Sequence, residues 1–166
     1  MITGLAHTAI CVPDVEAATR WYSEVLGFTV LSPPYRMSGP AIERDMGELV
    51  PGPVVVRAAI LGVAPDDRVL ELIEYPNLAD RRGSPASPDV GRLGITHVGL
   101  TCADVEATRR RLEEHGVRFL TRGIAEIAGL RSTWFVDPWG VVFILLEKSD
   151  DHRPYWRQPS AARPDG

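Results

Sequence analysis

An internal repeat is the feature of this sequence that most limits how the chain can fold. The segment His7-Thr-Ala-Ile-Cys-Val-Pro-Asp14-Val-Glu-Ala17 aligns with His97-Val-Gly-Leu-Thr-Cys-Ala-Asp104-Val-Glu-Ala107. The two histidines coincide, and Asp-Val-Glu-Ala is identical. Self-similarity of this kind indicates two copies of one supersecondary unit, so we expect the same order of strands and helices in both halves.

Each half predicts the order βαβββ. An apolar run comes first, and a helix follows whose N-cap is Asp14 or Asp104, because a short carboxylate accepts from the free N–H groups of a first helical turn. Three extended runs complete each half. The predicted strands are Leu5–Val12, Phe28–Leu31, Val54–Leu61 and Arg68–Tyr75, then Ile95–Cys102, Val117–Leu120, Arg131–Val136 and Val141–Glu147.

Three segments lie outside the repeat. Residues 32–52 are an insertion rich in proline and glycine, with a short predicted helix around Ala41–Leu49, and such a loop is either a lid over a site or merely mobile. Residues 76–94 link modules of about 3–75 and 95–148, which together form a predicted domain over residues 1–148. Residues 149–166 form a C-terminal tail.

Composition excludes several classes of protein. The 166 residues are 45% hydrophobic, enough for a core, and the net charge of −4 lacks the clustered basic residues that nucleic-acid binding needs. No apolar run approaches the ~20 residues that span a bilayer, and no basic, apolar leader opens the chain, so we expect a cytoplasmic protein without membrane or nucleic-acid partners. Cys11 and Cys102 are expected to be free, buried thiols.

The paired pattern resembles the vicinal oxygen chelate superfamily, which includes glyoxalase I, methylmalonyl-CoA epimerase, extradiol dioxygenases and metal-free bleomycin-binding proteins. The stretches that carry the resemblance are Leu5-Ala-His7-Thr-Ala-Ile, Trp21-Tyr-Ser-Glu-Val-Leu-Gly-Phe28, Leu70-Glu71-Leu-Ile, Ile95-Thr-His97-Val-Gly-Leu and Asp137-Pro-Trp-Gly140. It implies an α+β fold in which two βαβββ modules form a cupped, barrel-like mixed sheet with helices on the outside. It also implies a homodimer. These motifs are specific for the fold and weak for the reaction.

The resemblance also implies a set of metal ligands. In glyoxalase- and epimerase-like members the first and last strands of each half supply four ligands, and three of these places hold His7, Glu71 and His97 in this chain. The fourth place holds Ile144. Glu147 lies three residues further on, and strand alternation puts it on the opposite face, where we expect it at the strand end and facing solvent.

The residues themselves favour a bound cation. Glu71 lies in a run that is apolar on both sides, and a buried carboxylate without a partner is costly. His7 and His97 also have little polar company, so one shared cation would supply a partner for all three; the alternative is a metal-free hydrogen-bonded cluster. Two imidazoles and one carboxylate suit Fe(II), Mn, Co, Ni or Zn.

By resemblance the chain is expected to be a divalent-metal-dependent, glyoxalase- or epimerase-like lyase or isomerase. It would move a proton on a small substrate with adjacent oxygens, with Glu71 as the catalytic residue. Two alternatives stay open: an Fe(II) extradiol-type dioxygenase with a 2-His-1-Glu triad, and a metal-free protein that sequesters a ligand, as bleomycin resistance proteins do. Arg57, a charge among apolar strand residues, is predicted to bind a substrate carboxylate or phosphate, or else to reach water from a strand edge.

Overall fold

The computed structural model describes residues 1–63, 68–81, 89–91 and 93–159. The chain divides into two compact units, Met1–Ser84 and Pro85–Gly166. Part of the predicted linker 76–94 and the end of the predicted tail 149–166 lie outside the described residues. No helix in the described ranges is long and apolar enough to cross a lipid bilayer.

Unit 1 contains one mixed four-stranded sheet. Its elements are β1 (His7–Cys11), α1 (Val15–Glu24), β2 (Thr29–Ser38), α2 (Pro40–Met46), β3 (Val55–Gly62) and β4 (Val69–Glu74), followed by a 3-10 helix at Pro76–Arg81. The strand order is β1-β4-β3-β2, with β1 parallel to β4 and the other pairs antiparallel. The first and last strands of the unit are therefore neighbours.

Unit 2 repeats this topology. Its elements are β5 (Val98–Cys102), α3 (Val105–Glu114), β6 (Arg118–Phe119), β7 (Ala125–Ile127), β8 (Leu130–Val136) and β9 (Val142–Lys148), followed by a 3-10 helix at Tyr155–Arg157. The order is β5-β9-β8-β6, β7 pairs with β8, and β5 is parallel to β9. The predicted α+β class is confirmed, and both halves keep the βαβββ order, to which unit 1 adds α2 and unit 2 adds the short strand β7.

The two main helices begin where the sequence predicts. The Asp14 side chain accepts a hydrogen bond from Ala17 N at 3.0 Å, and the Asp104 side chain accepts one from Ala107 N at 2.8 Å. Helix α1 packs on β3 and β4 and buries Tyr22 completely. Each helix thus covers one side of its own sheet, and the opposite side is not covered by that helix.

The insertion is more ordered than the sequence predicts. Strand β2 does not stop at Leu31 but continues to Ser38, through Pro33 and Pro34. Proline is tolerated there because β2 is an edge strand and its pairing with β3 shifts register between Ser32 and Tyr35, so no ladder hydrogen bond is lost. The predicted short helix is present as α2, and it ends at Met46.

One expectation about the cysteines is wrong. Cys11 and Cys102 form no disulfide, as predicted, but Cys11 is exposed and Cys102 is only partly buried. Strand alternation explains the difference, because Ile10 and Val12 on either side of Cys11 project towards the core.

Candidate metal centre

Strand β4 presents alternate residues to opposite sides of the first sheet. Glu74 is buried on the side of α1, where its Oε2 accepts a hydrogen bond from Val15 N at 3.1 Å. Glu71 is three residues earlier and therefore projects to the opposite side. We call that side, which β1, β3 and β4 build together, the His7 face.

His7 and Glu71 meet on the His7 face. Strand β1 places Ala9 opposite Glu71, so His7 lies one pleat away on the same side. The Nε2 atom of His7 is 3.3 Å from Oε2 of Glu71, and the two side chains are 49% and 16% exposed. The Glu71 carboxylate thus has an imidazole partner. An imidazole nitrogen and a carboxylate oxygen at this distance are donor atoms that suit a divalent cation.

Two further polar side chains lie near Glu71. Cys11 is opposite Ile73 in the β1–β4 pairing, on the His7 face. Burial raises the pKa of Tyr75, and the nearby Cys11 and Glu71 raise it further. Tyr75 is therefore a protonated hydroxyl at neutral pH, able to donate a hydrogen bond.

The insertion packs against the His7 face. Strand β2 places Tyr35 opposite Ala58 and Met37 opposite Val56, on the same side as Glu71. Helix α2 adds its apolar residues to one cluster. The cluster consists of buried Val50, Val54, Val56 and Ala58 with partly buried Met37, Ile42, Met46, Ile73, Tyr75 and Leu78. The insertion is therefore packed against the sheet on the same side as the His7–Glu71 pair.

His97 belongs to unit 2 and immediately precedes β5. Its side chain is exposed, and its Nδ1 is 2.7 Å from the hydroxyl of Thr96. The ring also meets Trp134 edge to face, with centroids 4.7 Å apart. Because the Thr96 hydrogen bond occupies Nδ1, the other nitrogen, Nε2, is the one available to a ligand.

The strand register confirms that Ile144 occupies the position equivalent to Glu71. Ala9 is opposite Glu71 in the first sheet, and Gly99 is opposite Ile144 in the second. Ala9 and Gly99 each follow the repeated histidine by two residues. The fourth ligand position of the pattern is therefore apolar in this chain.

Glu147 has a different role from the one predicted. Its side chain is 20% exposed and does not face solvent; Oε2 accepts a hydrogen bond from Val105 N at 2.7 Å, at the first residue of α3. Arg131 pairs with it at 3.1 Å and also with Glu106. Strand alternation correctly predicted the side of the sheet on which Glu147 lies, but it did not predict the contact with α3.

The same arrangement occurs in unit 1, and it involves Arg57. Arg57 pairs with Glu74 at 3.2 Å and with Glu16. We call these two sets the helix clamps: Glu74, Arg57 and Glu16 in unit 1, and Glu147, Arg131 and Glu106 in unit 2. The repeat already aligned Glu16 with Glu106, but it gave no reason to expect a clamp at each helix start. Substrate binding by Arg57 stays a prediction.

A group of three carboxylates lies at the helix clamp of unit 1. One oxygen from each of Asp14, Glu16 and Glu74 lies within 4.8 Å of the others. Arg57 pairs with two of them, and backbone N–H groups bind Asp14 and Glu74. These contacts give each carboxylate a partner within the protein, and Glu74 lies on the side of α1, opposite the His7 face.

The structure brings together two of the three predicted ligands. His7 and Glu71 form a pair within unit 1, and His97 presents a nitrogen in unit 2. A site shared by all three stays a prediction.

Comparison with known proteins gives the family. The pattern of the Glyoxalase/Bleomycin resistance protein/Dioxygenase superfamily matches residues 4–145, and the chain belongs to this superfamily. Its members bind small molecules, commonly through a divalent metal.

Individual relatives are distant. The chain is 32% identical over 149 residues to a 2-epi-5-epi-valiolone epimerase from an Actinomyces species, covering 84% of this chain and 76% of that one. It is 28% identical over 142 residues to the uncharacterised protein YaeR of Escherichia coli, covering 86% and 94%. A glyoxalase family protein of Bacillus cereus has the same fold, with a TM-score of 0.77, 18% identity and coverage of 90% and 97%.

Proposed function

We propose that this protein is a divalent-metal-dependent lyase or isomerase that transfers a proton next to a carbonyl in a small substrate with two adjacent oxygens. His7, Glu71 and His97 would hold the cation. The observation that carries this proposal is the 3.3 Å approach of His7 Nε2 to Glu71 Oε2. The epimerase relative supports the reaction class, since inverting a carbon centre next to a carbonyl requires a proton to leave and return.

The residues of the His7 face divide the chemistry between them. A cation here would polarise a substrate carbonyl and so acidify the neighbouring C–H bond. Among the described residues of β1, β3 and β4 on this face, Glu71 is the one carboxylate, so it would accept the proton as well as bind the cation. The protonated Tyr75 would donate a hydrogen bond to a substrate oxygen.

Metal content tests the ligand set. The wild type, Glu71→Gln, His7→Ala and His97→Ala are incubated with Zn(II), Ni(II), Co(II) or Mn(II), desalted and measured by elemental analysis. Two variants of exposed residues, Glu48→Gln and His152→Ala, serve as matched controls. We expect about one metal per chain in wild type and controls and at least about tenfold less in the three ligand variants. Equal metal in all six proteins would overturn the proposed ligand set.

Proton transfer is tested separately. Metal-loaded protein is incubated in D₂O with hydroxyacetone, dihydroxyacetone and acetoin, and loss of the C–H signal next to the carbonyl is followed by proton NMR. We expect exchange with wild type and at least about a hundredfold less with Glu71→Gln, which would lose the general base and the bound cation together. Undiminished exchange in Glu71→Gln would remove Glu71 from the reaction.

An Fe(II) extradiol-type dioxygenase is the second candidate. Two imidazoles and one carboxylate favour it, because this set leaves positions open for substrate and O₂. Oxygen uptake with catechol after anaerobic loading with Fe(II), and no proton exchange, would select this reaction. A ligand-sequestering protein is indicated if wild type and ligand variants hold no metal.

Assembly and location are also predictions. The resemblance implies a homodimer, and the sequence favours a cytoplasmic protein. Sedimentation equilibrium checks the first, with a mass of about twice the 18.2 kDa of one chain expected.

A further inference from the structure

The second sheet is apolar where the first sheet has its carboxylate. Ile144 is opposite Trp134 in the β8–β9 pairing, and Leu146 follows Ile144 on the same side. All three side chains are partly exposed, whereas Phe143 and Leu145 project to the side of α3 and are buried. We call Trp134, Ile144 and Leu146 the apolar wall.

The apolar wall lies directly beside a proposed metal ligand. The ring of His97 packs edge to face on Trp134 with a centroid distance of 4.7 Å. Bonds from zinc to nitrogen and oxygen are only about 2.0–2.2 Å long, so a group attached to a chelating pair of oxygens would lie within reach of the indole.

Gly99, on β5, leaves the side chains of the apolar wall uncovered. It lies opposite Ile144, and a Cβ at this position would approach Cγ2 of Ile144 to 3.7 Å and Cδ1 of Leu146 to 3.8 Å. A side chain longer than alanine would therefore cover both residues. With glycine there, their methyl groups stay accessible to a ligand.

We propose that the apolar wall selects substrates whose two adjacent oxygens are attached to a flat, apolar group, either aromatic or conjugated. Such a group gains affinity by packing on an indole and on aliphatic side chains, and it would lose affinity beside a buried carboxylate. The isoleucine at position 144 would then have two effects. It removes the fourth metal ligand, and it contributes to substrate specificity. This substrate class depends on the proposed function, because it needs the cation at His97.

A pair of hydroxamates tests the substrate class. Acetohydroxamate and benzohydroxamate chelate through the same two oxygens and differ in carrying a methyl or a phenyl group. Their affinities for the Zn(II)-loaded full chain are measured by isothermal titration calorimetry, with metal-free protein as the blank. We expect the phenyl group to improve the dissociation constant of the wild type by about tenfold, the scale of one aromatic contact with its burial.

Variants locate the effect. Trp134→Leu and, as a second and milder change, Ile144→Ala should each reduce the phenyl preference, which is the ratio of the two dissociation constants, to about threefold or less. Trp156→Leu is the matched control, since Trp156 is 69% exposed in the C-terminal segment and should leave the preference unchanged. Circular dichroism verifies that each variant is folded.

The outcomes separate this inference from the function on which it depends. Equal, zinc-dependent binding of both hydroxamates would overturn the substrate class and leave the metal site standing. A phenyl preference that survives in both Trp134→Leu and Ile144→Ala would also overturn it. Binding of neither hydroxamate to the zinc-loaded protein would reject the proposed function, and the substrate class with it.

Discussion

Glu71 and Glu147 are strand carboxylates with different partners. Glu71 projects to the His7 face, where His7 is its partner at 3.3 Å. Glu147 projects towards α3, where it accepts a hydrogen bond from Val105 N and pairs with Arg131. The first contact brings together two donor atoms of the proposed metal site, whereas the second holds a helix to a sheet.

Substitution by glutamine should separate these two roles. In Glu147→Gln we expect normal metal content but a free energy of unfolding lower by about 1–2 kcal/mol, because the helix start and Arg131 lose a charged partner. In Glu71→Gln we expect the metal to be lost and the stability of the metal-free protein to change by less than about 1 kcal/mol. Urea unfolding with elemental analysis measures both quantities. Loss of metal in Glu147→Gln would show that it is a ligand after all.

Ile144 offers the converse test, by adding a ligand. Because it occupies the position equivalent to Glu71, Ile144→Glu should complete a fourth ligand and tighten metal binding by at least about tenfold. Competition with a chromophoric chelator measures the affinity. Leu146→Glu places the same charge on the same side of β9, and we expect no tightening there. Equal effects at both positions would mean that added negative charge, not a defined ligand position, attracts the cation.

At the level of elements, the helix starts are stabilised by single side chains. Replacing Asp14 or Asp104 by alanine should each cost about 1 kcal/mol of unfolding free energy at neutral pH, because an N–H group at the start of the helix loses its acceptor. The hydrogen bond from Ala17 N is the largest cause that lowers the pKa of Asp14 below the ordinary value of 3.8.

This lowered pKa fixes the pH dependence of the Asp14 contribution. A carboxyl group with a depressed folded-state pKa stabilises the protein above its unfolded pKa and loses that contribution as pH falls through the folded one. The difference in melting temperature between wild type and Asp14→Ala should therefore shrink as pH is lowered below 3.8. Thermal denaturation followed by circular dichroism checks it, and a difference that persists or grows in acid would contradict this contribution.

The sequence predicts elements best where one local rule decides. Asp14 and Asp104 mark the helix starts, and the repeat gives the strand order, so the topology and the pairing of Glu71 with Ile144 are predictable. The continuation of β2 beyond Leu31 was missed because Pro33 argues locally against a strand, whereas the register shift that tolerates it depends on the neighbouring strand. The His7–Glu71 contact follows from family resemblance, but its distance depends on parallel pairing of two remote strands.

The helix clamps were missed for a related reason. Arg57 and Arg131 appear in the sequence as isolated charges in apolar strands, and nothing local shows which carboxylates they meet. Their partners come from a helix start and from a neighbouring strand, Glu16 and Glu74 in unit 1. Only the folded sheet places these groups together. A charge in an apolar strand is thus a poor guide to function until its neighbours are known.

At the level of the whole molecule, the two units share the features that stabilise the fold, and they differ at a position of the proposed metal site. Both keep an aspartate cap, a helix clamp and parallel pairing of the first and last strands. They differ at Glu71 and Ile144, which occupy equivalent places. The carboxylate of unit 1 is thus replaced by an apolar side chain in unit 2, so the two units do not carry equivalent sites.

If His7, Glu71 and His97 hold one cation, as proposed, its binding should stabilise the strands next to each of these residues. Hydrogen exchange of the backbone amides is measured with and without Zn(II) at about a hundred times its dissociation constant, where binding can add about 2.7 kcal/mol to local stability. We expect slower exchange in β1 and β4 of unit 1 and in β5 of unit 2.

His97→Ala provides the control that assigns this protection. Without the His97 imidazole, zinc should bind more weakly, and any remaining protection should be confined to β1 and β4, near the His7–Glu71 pair. Protection of unit 1 alone in the wild type would mean that His97 takes no part and that the cation has only two protein ligands. Equal protection of β5 in the wild type and in His97→Ala would mean that unit 2 responds through some contact other than this imidazole.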